Sequence, residues 1–209
     1  PQYTNNYEFE AMDLDGNGHL DLVTVNDGDL ASEDQSSRRE HVFRNDGKGR
    51  FRDVTASWWP PAANVGEDDN MVAFLDADND GDADFVVGSL SGPDRLLVND
   101  GKGHLTARLD VFSGADTPGT LGLALADLDG DGDLDIVAAA LLAAGSDVDE
   151  RTLPALVWLE HTKPGTFARH TIEMGFPRHA TLDVGDVDGD GDIDIVVGNF
   201  SLEKSSAAW

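Results

Sequence analysis

Asp127-Leu128-Asp129-Gly130-Asp131-Gly132-Asp133-Leu134-Asp135 puts a carboxylate at every odd position of a nine-residue turn and glycine at position 6. Five like charges at this density repel one another strongly unless a cation sits among them. Hard oxygen donors, with no Cys and no His at the ligand positions, point to Ca²⁺ rather than zinc. Side-chain oxygens are expected from Asp127, Asp129, Asp131 and Asp135, and a backbone carbonyl from Asp133 at position 7. Gly132 permits the positive φ that folds the chain around the ion.

The pattern recurs three times: Asp13, Asp15, Asn17, His19, Asp21; then Asp76, Asp78, Asp80, Asp82, Asp84; then Asp186, Asp188, Asp190, Asp192, Asp194. Four copies in one frame make chance implausible and imply up to four Ca²⁺. The first copy carries Asn17 and His19 where the others have Asp, and fewer charges mean weaker binding. An EF-hand is excluded by position 12, where a bidentate Glu is required and this chain has Thr24, Val87, Ala138 and Val197. The segments after the turns, Leu22-Val23-Thr24-Val25, Phe85-Val86-Val87 and Ile195-Val196-Val197, are β-prone. The acidic turns therefore sit inside β-hairpins, not between helices.

The elements that must position them repeat with the turns. The copies begin at residues 13, 76, 127 and 186, and internal repeats at this spacing suggest a propeller or array. Each unit reads as four strands; in the third these are 121–126, 134–139, 155–160 and 167–172. Asn45-Asp46-Gly47-Lys48-Gly49 and Asn99-Asp100-Gly101-Lys102-Gly103, each between apolar runs, are hairpin turns joining third to fourth strands. His161-Thr162-Lys163-Pro164-Gly165 does that job in the third unit. The first two strands of each unit are almost wholly apolar, as expected when both sheet faces are covered.

The Asp-x-Asp-x-[Asp/Asn]-Gly-x-x-Asp frame, with the block Phe-Arg-Asn-Asp-Gly-Lys-Gly-Arg-Phe-Arg-Asp-Val-Thr at 43–55, resembles FG-GAP/VCBS repeats. These are the calcium-binding β-propeller blades of integrin α-subunits, several lectins and many secreted bacterial proteins. The resemblance covers essentially the whole chain and implies fold and calcium, but not a ligand, because a propeller hosts many functions. It implies an all-β fold: a β-propeller of four-stranded antiparallel blades, with about three and a half blades present. Residues 1–209 form one such region, with repeats at approximately 7–56, 70–112, 120–173 and 180–209, the last incomplete. Fourteen strands do not close a ring, since propellers generally need four to eight blades. The chain reads as a partial or open propeller, completed by further blades or domains of the same parent chain. The alternative is a compact domain whose open edges another chain or domain covers.

Composition bounds the rest. The 209 residues carry 41 acids against 14 bases, a formal charge of −27, and the four turns hold close to half of those acids. Such an excess argues against nucleic acid and anionic membranes as partners. With no cysteine there are no disulfides. No run reaches the ~18 apolar residues of a membrane helix. Weak calcium sites of this kind fill at extracellular calcium, so a secreted, periplasmic or cell-surface location is expected. The chain opens on Pro1 without a leader, and a removed leader or further domains are expected.

In an antiparallel meander the acidic turns and the Asn-Asp-Gly-Lys-Gly turns share one end. The long variable segments 26–40, 56–70, 113–120, 140–154 and 174–179 share the other, where recognition is expected. Candidate contacts there are Trp58, Trp59, Arg38, Arg39, Arg151, Phe176, Arg178 and His179, which could stack on a sugar or anchor a protein. Packing between blades is the plainer reading of Trp58-Trp59, and pairing with surplus acids that of the arginines. Arg178-His179, before the first strand of the fourth unit, is the best single site and is expected to face the channel mouth. No Gly-x-Ser-x-Gly, His-Glu-x-x-His or cysteine nucleophile is present. The expectation is a non-catalytic extracellular module for adhesion or ligand binding, with structural Ca²⁺ and a protein or carbohydrate ligand opposite the calcium turns. The alternatives are a lectin-like propeller or a polysaccharide lyase with a channel-facing base.

Overall fold

The computed structural model describes residues 6–26, 39–64, 67–112, 119–142 and 149–200. Arg38 lies outside them. The described residues form fourteen β-strands in four antiparallel sheets, each in plain sequence order. The first sheet contains β1 (Asn6–Met12), β2 (Asp21–Asn26), β3 (His41–Asn45) and β4 (Phe51–Asp53). The second contains β5 (Asp69–Leu75), β6 (Asp84–Ser89), β7 (Arg95–Asn99) and β8 (Leu105–Arg108). The third contains β9 (Thr120–Ala126), β10 (Asp135–Ala140), β11 (Pro154–Lys163) and β12 (Thr166–Met174). The fourth has two strands, β13 (His179–Gly185) and β14 (Asp194–Asn199).

The sheets are stacked in order. First strands of successive sheets stand side by side, β1 against β5, β5 against β9 and β9 against β13. They border a groove of about 530 Å³ lined by Glu8, Met71, Leu123 and Leu182 among others. Each gap between sheets holds its own apolar core. Val23, Val25 and Val42 meet Phe85, Val87 and Leu97 in the first gap. Val86 and Leu96 meet Ile136, Ala138 and Val157 in the second, and Val137 and Ala139 meet Leu182 and Val197 in the third. Alternate side chains of β6 and β10 thus enter opposite cores, and every residue of both strands is buried. This is why these strands read as continuous apolar runs rather than alternating ones. No described sheet covers the far side of β14, and Val196 there is half exposed.

Two local features differ from expectation. His161 lies inside β11, which runs on to Lys163, so the turn closes on Pro164-Gly165 alone. The segment after β4 forms a single helical turn, α1 (Thr55–Trp58), too short to leave any periodic signature. It delivers Trp58 and Trp59 into the first core, with Trp59 fully buried and edge-on to Phe85 at 5.5 Å between centroids.

Candidate metal-binding turns

Each acidic turn is shaped by its own aspartates. At position 1, Asp76 accepts from the Asp80 and Gly81 N–H groups at 3.1 and 3.0 Å, and Asp127 accepts from Gly130 and Gly132 at 2.8 and 3.1 Å. Asp13 does the same for Asn17 and Gly18, and Asp186 for Gly189, Asp190 and Gly191. The chain wraps in this way because two residues per turn are left-handed. Besides the glycine at position 6, position 4 has positive φ in all four turns, including the non-glycine Asn79 at 58°. Asn is the side chain that tolerates this region best after glycine, so the sequence signal lay in Gly16, Asn79, Gly130 and Gly189 as a column.

Position 9 anchors the turn to the sheet. In the second turn, Asp84 accepts from the Ala77 N–H at 2.9 Å and, across to the end of β7, from the Asn99 N–H at 2.8 Å. Asp21 bonds Leu14 and Asn45 in the same manner, and Asp135 bonds Leu128 and His161. Burial pushes the Asp84 carboxyl up to about 6, against the pull of those two N–H donors, with Asp78 and Asp80 adding repulsion. Asp21 and Asp78 are raised as well, chiefly by burial and then, for Asp78, by Asp80.

These constraints bring oxygens together. Asp13, Asp15 and Asp21 each offer an oxygen within 4.8 Å of the others, as do Asp76, Asp78 and Asp84, then Asp127, Asp129 and Asp131, and Asp186, Asp188 and Asp194. A carboxylate oxygen has two lone pairs, so one accepting an N–H remains able to hold an ion. Oδ1 of Asp15 and of Asp78 is buried without any partner. An all-oxygen set with orphaned buried acceptors fits Ca²⁺, with Asp131 or its counterparts Asn17, Asp80 and Asp190 available at position 5.

Side chains at position 7 turn outward. A Cβ on Gly47 would collide with His19, and one on Gly101 with Asp82. The Asp133 carboxylate lies 3.4 Å from Asn79 Nδ2 and 4.0 Å from the His161 ring. For His19, Asp82 and Asp133 this leaves the backbone carbonyl, the group expected of this position, as the one facing the turn's interior. The turns are also tied from sheet to sheet. Asn99 Nδ2 reaches the Leu14 carbonyl of the first turn at 2.9 Å, and Gly165 N–H reaches Ala77 of the second at 2.7 Å. Position 2 plugs the neighbouring core, where Leu14 and Ala77 are fully buried, whereas Val187 of the last turn is 68% exposed.

Trp58 and Trp59 are buried in the first core, as their plainer reading has it, and the Trp58 indole lies against Gly103 of the second sheet's Asn-Asp-Gly-Lys-Gly turn, not at the opposite end. At the opposite end, the pair expected to face the channel mouth is engaged within the fold. His179 is 4% exposed and clamped between Asn199 Oδ1 at 2.6 Å and Glu173 Oε2 at 3.0 Å. Arg178 grips Glu150 through both carboxylate oxygens at 2.9 and 3.0 Å. Arg151 pairs with Asp149, while Phe176 is 62% exposed. Sequence reasoning missed a buried polar cluster here. Glu40, Asp69, Asp94 and Arg95 are all inaccessible, with Arg95 bonded to Asp69, and with Asp94 accepting from Ser89 N–H at 2.9 Å and Thr120 Oγ1 at 2.7 Å. Both Glu40 oxygens lack a donor. Burial and then the facing Asp69 charge hold the Glu40 carboxyl well above the usual range.

No curated protein matches the sequence. Among solved structures, the crystal structure of the V. cholerae biofilm matrix protein Bap1 aligns over 93% of this chain at 18% identity and a TM-score of 0.48, and this chain spans 28% of that one. The profile of the FG-GAP-like repeat matches residues 13–87 and again 76–138. Together these matches cover more than half of the sequence, and the chain belongs to the FG-GAP-like repeat family.

Proposed function

We propose that this chain is part of an extracytoplasmic β-propeller whose four acidic turns bind Ca²⁺ for structural purposes, serving adhesion or ligand binding rather than catalysis. The observation that carries the reading is the convergence of three aspartate oxygens within 4.8 Å in every turn, in a chain of this repeat family. Bound calcium would neutralise carboxylates that otherwise oppose folding. Because each of the first three turns is also bonded to the next sheet or plugs its core, order at one turn supports the stack. The uncovered flank of β14 suits a further blade of the parent chain. The non-catalytic reading is supported by the histidines, several of which hold structural positions. His161 is buried and stacked on Phe167, His170 is bonded to Glu160, and His179 is clamped and so poorly placed to serve a lyase as base.

The test is chelation. Three sites held at about a hundredfold above Kd stabilise by roughly 8 kcal/mol, so EGTA should lower Tm by roughly 20 °C in a chain of this size. An unchanged Tm, with no calcium found by elemental analysis, would refute the reading. A lectin-like role is favoured by one observation, the exposure of Phe176 beside Arg151. A glycan array should lose signal on Phe176→Ala if that reading holds.

A further inference from the structure

The first acidic turn differs from the others in its neighbour as well as in its ligands. Register aligns Phe43 with Leu22, Leu97 with Phe85, and Leu159 with Ile136, so the residues that follow, Arg44, Val98 and Glu160, occupy one structural position. In the first sheet, Arg44 Nε donates to Asp15 Oδ2. In the second, Val98 is apolar and packs into the core. In the third, Glu160 adds a further negative charge, bonded to His170 at 2.6 Å. The turn carrying the fewest carboxylates is thus the one whose own sheet supplies a cation.

Building on the calcium reading above, we propose that Arg44 is a resident counter-cation for the first turn, which keeps its folded form when calcium is withdrawn while the other turns open. Arg44 draws one oxygen of Asp15 and cancels one charge of a set that already has Asn17 in place of Asp. It therefore lowers calcium affinity there and reduces the repulsion that calcium would otherwise relieve. The chain acquires one calcium-insensitive turn, at the first sheet, next to calcium-dependent ones.

The amides bonded to position 9 report on each turn separately. They are Leu14 and Asn45 for the first, Ala77 and Asn99 for the second, and Leu128 and His161 for the third. Hydrogen exchange on the calcium-loaded chain before and after EGTA should accelerate at the second and third pairs by about tenfold or more, and at the first by less than about threefold. Arg44→Val, which borrows the second sheet's residue, should bring Leu14 and Asn45 up to the response of the others, and Arg44→Lys should leave them protected. Calorimetric titration of the unaltered chain gives an independent reading, with one site roughly tenfold weaker than the rest, the order expected of one unit charge beside a divalent ion. Equal acceleration at all three pairs, or a first turn still insensitive in Arg44→Val, overturns the proposal and leaves the calcium reading standing. Absence of calcium binding at every turn overturns both.

Discussion

The two ends of these strands are both rich in acid and neutralise it differently. At the turn end, the aspartates are largely open to solvent, arranged around a common point and short of positive partners, Arg44 beside Asp15 being the exception among the described residues. At the other end, Glu40, Asp69 and Asp94 are sealed from water beside the buried guanidinium of Arg95, which bonds Asp69. An open site can be balanced by an ion that comes and goes. A sealed one must carry its compensation within the fold, here through Arg95 and through carboxyls that burial pushes toward their neutral form. On the calcium reading proposed above, the first arrangement would couple stability to solution calcium, and the second couples it to pH.

Removing the sealed cation should give the largest effect of any single substitution discussed here. Arg95→Met leaves Asp69 buried and unpaired, which costs about 3–5 kcal/mol; thermal melting should fall by roughly 10 °C with or without calcium. Equal stability of the variant would show that the cluster is neutral without Arg95.

The two ends should also respond to pH with opposite sign. Asp94, held up to about 6 by burial, and Glu40, raised well above the usual carboxylate range by burial, both lie above their unfolded values. Their contribution is fully present below the unfolded pKa and is lost as pH rises through the folded one. In EGTA, Asp84 adds to this trend, so the calcium-free chain should become more stable as pH falls from 7 to 5. Calcium requires ionised carboxylates, so the gain in Tm on adding calcium should shrink over the same interval. Melting curves at both pH values with and without calcium would reveal parallel shifts if the two ends do not differ. The smallest effect is local to one turn. Asn79→Ala places a less tolerant side chain at φ 58° and should cost about 1 kcal/mol, while Asn79→Gly should not destabilise.

Much of the turn end was legible in sequence because its determinants are local. Aspartate spacing and the apolar runs beside it specify hairpins, and the Asn-Asp-Gly-Lys-Gly turns repeat the signal. The other end depends on contacts between distant segments. Glu40, Asp69 and Arg95 look like ordinary charged residues flanking strands, and only stacking of the first two sheets buries them together. Trp58 and Trp59, followed by Pro60-Pro61, favour packing between sheets in sequence, and a short helical turn carries them into the first core. Arg44 reaches Asp15 across 29 positions, and no spacing rule in the sequence announces that pair.

The central claim is that divalent ions fill the aspartate turns. It is met most directly by equilibrium dialysis of the full chain against graded calcium, with bound metal counted by elemental analysis. The account predicts saturation at up to four ions per chain, the weakest lost first and strengthened by Arg44→Val. A chain that retains its fold and stability with no bound calcium at millimolar concentration would contradict it.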